Sequence, residues 1–146
     1  MRLTIDEVKE YLYQIKKLDR MINNKLNELE KWKSVCEYPN VPAYGMEKVQ
    51  SSGGRMSFAV ENYITVEGEI QEAIQDLMEV KRDVIGTIEK LPLPEYEVLY
   101  EKYVNFKEFQ DIADQMDKSY SWTTSVHGRG LVSVRKILQD REKAGE

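Results

Sequence analysis

The chain has 146 residues, with 21 Lys+Arg against 26 Asp+Glu, a net charge of −5 and 41% hydrophobic residues. A single cysteine, Cys36, excludes a disulfide framework and a cysteine-rich zinc site, and a single histidine, His127, argues against a His-rich metal site. No stretch approaches the roughly 20 apolar residues of a membrane span, and the polar N-terminus lacks a signal-peptide core, so the expectation is a cytoplasmic protein without metal, cofactor or membrane partner.

The first predicted element is a long helix over about residues 4–37. Thr4 and Glu7 have the Thr-x-x-Glu spacing of a capping box, flanked by Leu3 and Val8 as a hydrophobic staple. Apolar residues then recur every seven: Val8, Ile15, Ile22, Leu29 and Cys36. A second row holds Tyr11, Leu18 and Trp32, with Lys25 as its exception. Residues 38–57 carry Pro39, Pro42, Gly45, Gly53 and Gly54 and read as a long loop. Gly53-Gly54 lacks the Gly-Lys-Ser/Thr ending and preceding strand of a phosphate cradle, so nucleotide binding is not expected.

A second long helix is predicted over about residues 58–91, with Tyr63, Ile70, Leu77, Val84 and Leu91 every seven and Val66, Ala73, Val80 and the flanking Ile74 and Ile88 completing the stripe. Two such helices predict an antiparallel, coiled-coil-like hairpin. Their stripes are wide, so apolar surface should remain for self-association, the simplest closure being a four-helix bundle of two hairpins. The residues assigned to oligomerisation are Val8, Ile15, Ile22, Leu29, Ile70, Leu77 and Val84.

Leu91-Pro92-Leu93-Pro94 marks the predicted border between residues 1–91, for assembly, and residues 92–146. Three short helices are expected beyond it, over about residues 94–104, 107–116 and 119–139. Leu99, Tyr100 and Tyr103 are candidate inward residues of the first. Phe109, Ile112, Ala113 and Met116 line the second, and Ser119 caps the third. This predicts an all-α fold ending in a three-helix unit with a helix-turn-helix.

The stretch from Leu93-Pro94-Glu95-Tyr96-Glu97-Val98-Leu99 to Ile112-Ala113-Asp114-Gln115-Met116 resembles region 4 of sigma-70-type factors. Tyr103 matches the Tyr that closes the first helix of that region, Ala113 the small residue where the motif helices touch, and Val126 a core position of the recognition helix. Ser119-Tyr120-Ser121-Trp122, Val126-His127-Gly128-Arg129-Gly130-Leu131 and the loop run Val49-Gln50-Ser51-Ser52-Gly53 resemble small phage and prophage late-transcription regulators of the RinA/ArpU kind from Gram-positive bacteria. The sigma-like part spans about residues 93–138, and the phage resemblance covers most of the chain. It implies a helical N-terminal region followed by a DNA-binding unit. Three departures stand out: Asp117 replaces the usual turn Gly, Thr123 replaces a buried Val, and Gly128 and Gly130 interrupt the third helix. Each of those glycines costs about 1 kcal/mol against Ala, which predicts a helix that is bent, frayed, or completed only on DNA.

Local charge favours that implication despite the acidic total, which by itself argues against a nucleic-acid partner. From Lys118 to Leu138 there are Lys118, Arg129, Arg135 and Lys136 and no Asp or Glu, a local +4. If Thr123, Val126 and Val134 point inward, Tyr120, Ser121, Thr124, Ser125 and Arg129 point outward. Ser119, Ser121, Thr124 and Ser125 offer short donors for phosphates or base edges, and Arg129 is the best candidate for a fork. The candidate DNA-binding residues are Lys118, Ser119, Tyr120, Ser121, Thr124, Ser125, His127, Arg129, Arg135 and Lys136. His127 reads either as a phosphate neighbour or as a partly buried helix residue, and Trp122 as a packing anchor rather than a stacking group. Asp111 and Asp114 read as a solvated face. With no nucleophile–base constellation, neither catalysis nor a small-molecule substrate is expected.

The expected function is a phage or prophage transcription regulator that binds duplex DNA, with the N-terminal helices self-associating or engaging RNA polymerase. The alternative is an adaptor that contacts RNA polymerase or another phage protein without touching DNA. A DNA-packaging subunit is a third reading.

Overall fold

The computed structural model describes residues 2–38 and 52–145, with side chains for all of these except residues 52–55. The described residues form helices and no strand: α1 (Ile5–Glu37), α2 (Ser52–Ile88), α3 (Leu93–Leu99), α4 (Phe109–Gln115) and α5 (Tyr120–Lys143). A π-helical turn, Tyr100–Val104, extends α3. Thus α2 begins at Ser52, six residues before the expected start. Its first turn takes in Gly53-Gly54, and most of the predicted loop lies outside the described residues.

Thr4 starts α1 as expected. The Glu7 backbone N–H donates to Thr4 Oγ1 at 3.1 Å, and that hydroxyl donates to Glu7 Oε1 at 3.2 Å. The carboxylate therefore takes the hydroxyl proton instead of closing the box on a backbone N–H.

The chain divides into two compact units: residues 18–76, and residues 1–17 together with 77–146. In the first, the end of α1 packs antiparallel to the start of α2. Ile22, Val35, Ala59, Val66 and Ile70 are buried there. Trp32 meets Phe58 edge to face at 5.5 Å. Lys25, the exception in its apolar row, reaches Glu69 Oε2 at 3.0 Å, so its charge is paired across the two helices.

The second unit carries the larger core. Val8, Leu12 and Ile15 of α1 and Val84 and Ile88 of α2 pack with Leu91, Leu99, Tyr103, Val104, Leu131 and Val134. Burying each such side chain contributes about 1.5–3 kcal/mol. The Leu91-Pro92 turn thus lies inside this unit rather than at its edge, because Leu91 is itself part of the shared core. The residues assigned to oligomerisation need correcting for a related reason. Val8, Ile15, Ile22, Ile70 and Val84 are at most 8% exposed within one chain. Leu29 and Leu77 are half-buried. Intrachain packing takes up those five buried residues, so they offer no face to a second copy.

A polar cluster holds the far end of α5 in this unit. Arg141 donates from Nη1 to Asp83 Oδ1 at 3.1 Å and from Nη2 to Thr87 Oγ1 at 2.8 Å. Tyr11 donates to Asp83 Oδ2 at 2.5 Å and lies 2.9 Å from Thr87 Oγ1. Burial, together with the hydrogen bond to Asp83, pushes the Tyr11 phenol up to about 12.

Candidate nucleic-acid interface

A second, smaller cluster fixes the geometry of α3, α4 and α5. Val98, Ile112 and Val126 are fully buried, and Phe109, Met116 and Trp122 pack around them. Ala113 is also fully buried, the small residue that close packing of α4 requires.

The turn after α4 reverses the chain through Asp117, whose φ is +53°. The Lys118 N–H donates to Ala113 O at 2.9 Å and the Asp117 N–H to Asp114 O at 3.3 Å. This pair of bonds is a Schellman closure with Asp in the place glycine usually takes. A left-handed L-residue is strained by about 1–2 kcal/mol, less for Asp than for most. Asp117→Gly is therefore expected to raise stability by about 0.5–1 kcal/mol without altering the turn, as read by chemical denaturation with an unchanged helical spectrum.

Ser119 then caps α5, its Oγ accepting from the Trp122 N–H at 3.0 Å. Thr123, the polar residue at a buried position, is satisfied by donating from Oγ1 to Ser119 O at 3.0 Å. The helix runs without a break from Tyr120 to Lys143, so the fraying expected at Gly128 and Gly130 does not occur. Gly130 is buried, and a Cβ there would lie 3.1 Å from Leu99 Cδ1, so its absence lets α5 approach α3. Gly128 is exposed, with open space where its Cβ would stand.

Thr123, Val126 and Val134 are fully buried, joined by Leu131 and Gly130. On the other side Lys118, Ser119, Tyr120, Ser121, Ser125, Arg129 and Lys136 are exposed, and Thr124 and Arg135 are half-buried. Tyr120 leans edge-on against Phe109 at 6.2 Å yet stays 53% exposed. Trp122 belongs to the packed cluster, and Lys118 Nζ lies 5.2 Å from its ring centroid.

His127 leaves the candidate set. It is only 8% exposed, with Nε2 2.7 Å from the Tyr103 hydroxyl and its ring against the edge of Phe109 at 4.9 Å. Burial drives its pKa down to about 4, with the nearby charges of Lys9 and Lys102 adding to the effect. It is a neutral packing residue, one helical turn from both Thr123 and Leu131, and that spacing was the available signal.

Arg129 has a partner that its sequence neighbourhood does not reveal. Its Nε donates to Glu95 Oε1 at 3.3 Å, while its side chain stays 62% exposed. Glu95, in the first turn of α3, is nearly buried beneath it. Arg135 and Lys136 have no ion-pair partner among the described residues.

The described residues hold no group of three or more His, Cys, Asp or Glu placed for a metal ion. Among them, no helix is long and apolar enough to cross a membrane. Comparison with protein families, with curated proteins and with solved structures gives no match.

Proposed function

We propose that the chain is a transcription regulator of the phage and prophage kind that binds duplex DNA, with α4, the Asp117 turn and α5 acting as a helix-turn-helix and α5 entering the major groove. One observation carries this reading. The outer face of α5 presents hydroxyls at Ser121, Thr124 and Ser125 and cations at Arg129, Arg135 and Lys136, with Lys118 in the preceding turn and no acid from 118 to 138. Exposed Gly128 lies in the middle of that face, where the missing side chain favours close approach of a ligand. Cations neutralise phosphates, and short hydroxyl side chains suit base edges and sugar–phosphate oxygens.

Anisotropy titration of labelled duplex DNA tests the proposal. Four cationic contacts per chain give a slope of log affinity against log salt of about −3.6. Absence of binding at low salt overturns it.

A groove beside α3 and α4 favours the adaptor as the second reading. A cavity of about 500 Å³ is lined by Tyr96, Glu97, Tyr100, Glu101, Gln115 and Met116. Aromatic walls with an acidic rim suit a basic, partly apolar segment of a protein such as RNA polymerase. Retention of the polymerase by a chain that shows no DNA binding would favour this reading over the first.

A further inference from the structure

The unit of residues 18–76 leaves a second apolar row on α2, separate from the buried one. Ala59, Val66 and Ile70 form the buried row. About a quarter turn away, Val60, Ile64, Glu67, Gln71 and Ile74 follow alternating steps of four and three residues, the repeat of a coiled-coil seam. Val60 is 41% exposed, Ile64 63% and Ile74 42%, and Glu67 and Gln71 are exposed too.

Two properties of this row identify its occupant. First, it is nearly uncharged on an acidic helix. Residues 56–76 carry Glu61, Glu67, Glu69, Glu72 and Asp76 and no Lys or Arg, yet only Glu67 lies in the row, and of the adjoining positions Ser57, Glu61, Gly68 and Gln75 only Glu61 is charged. Second, its centre is self-complementary. About a two-fold axis at residue 69, an antiparallel copy sets Ile64 of one chain against Ile74 of the other, and Glu67 against Gln71. Each layer then pairs apolar with apolar, or a carboxylate acceptor with an amide donor. Gly68 stands one residue from the axis, with open space at its Cβ position, where two helices come closest.

We propose that this face is the contact by which two copies of the chain associate, α2 against antiparallel α2. The alternating row supplies the seam and the Glu67–Gln71 layers fix its register. An antiparallel helix pair covers each helix on one side only, and a second copy covers the exposed flank. The inference does not depend on DNA binding, and its test uses no DNA.

Light scattering of the full chain at tens of micromolar is expected to give twice the single-chain mass of 17.1 kDa. Ile64→Glu with Ile74→Glu should weaken association at least about 100-fold, since carboxylates would be buried unpaired. Both positions are exposed in the single chain, so the helical spectrum should not change. In a Cys36→Ser background, Ile64→Cys with Ile74→Cys should give an oxidised covalent dimer. Ile64→Cys alone should not, because the two copies of residue 64 lie about 15 Å apart along the axis. A single-chain mass for the unaltered protein, a dimer that survives the two glutamates, or equal cross-linking by the single cysteine overturns the proposal.

Discussion

Acidification from pH 7 to pH 4 is expected to remove about 3 kcal/mol of folding stability through His127 alone. The ring is buried against Tyr103 and Phe109, and its pKa falls from 6.5 to about 4. Between those values the unfolded chain binds a proton at His127 that the folded chain refuses, so stability falls with every step of acidification. Above pH 6.5 both states are neutral and the contribution vanishes. Below about 4 both are protonated and the loss levels off at about 3 kcal/mol, from 1.36 kcal/mol per pH unit. Denaturant unfolding at pH 7, 5.5 and 4 measures the loss. His127→Gln, which keeps a polar partner for Tyr103, should flatten the profile across that window. His127 is the only histidine, so its ring resonances report the titration directly. A ring that titrates near 6.5 in the folded protein would refute the account.

The second large effect concerns binding. Arg135→Glu with Lys136→Glu is expected to weaken affinity for duplex DNA by at least about 60-fold at 0.1 M salt. Each lost phosphate contact removes about 0.9 from the salt exponent, so two contacts give about 10^1.8, and the added carboxylates repel further. The slope against log salt should fall from about −3.6 to about −1.8. These two residues make a cleaner probe than Arg129, because neither has an ion-pair partner among the described residues, whereas truncating Arg129 also strands Glu95. Unchanged affinity in the double variant, with an unchanged helical spectrum, would remove α5 from the interface.

The sequence made local features legible because their causes are local. The Thr4 and Ser119 caps, the left-handed Asp117 turn and the inward set Thr123, Val126 and Val134 all follow from spacing within a few residues. Periodicity identified which side of α1 and α2 is buried, but it does not name the neighbour. Val8, Leu12 and Ile15 lie against residues around 84–134 rather than against the opposite helix alone. The pairs Arg129–Glu95 and Arg141–Asp83 span 34 and 58 positions, and in a linear reading each residue looks like an ordinary solvated charge. The charge-poor row on α2 is hidden in the sequence for a related reason. Ile64 falls between the core positions Tyr63 and Val66, and Val60 just before them, so both read as the core's margin.

The larger unit is assembled from two separated stretches of chain, residues 1–17 and 77–146. During synthesis the N-terminal strip bearing Val8, Leu12 and Ile15 emerges early, yet its partners Leu131 and Val134 follow more than a hundred residues later. Until α5 has left the ribosome that strip is covered only in part, by residues such as Val84 and Ile88, and no early intermediate can complete this core. Translation that stalls before α5 would therefore leave a sticky, protease-sensitive fragment rather than a half-functional one. By the same topology, a piece cut at the Leu91-Pro92 turn would keep the residues of α5 but lose the surface that holds Leu131, Val134 and Arg141 in place. The C-terminal half of α5 is thus held in place only when both stretches are present.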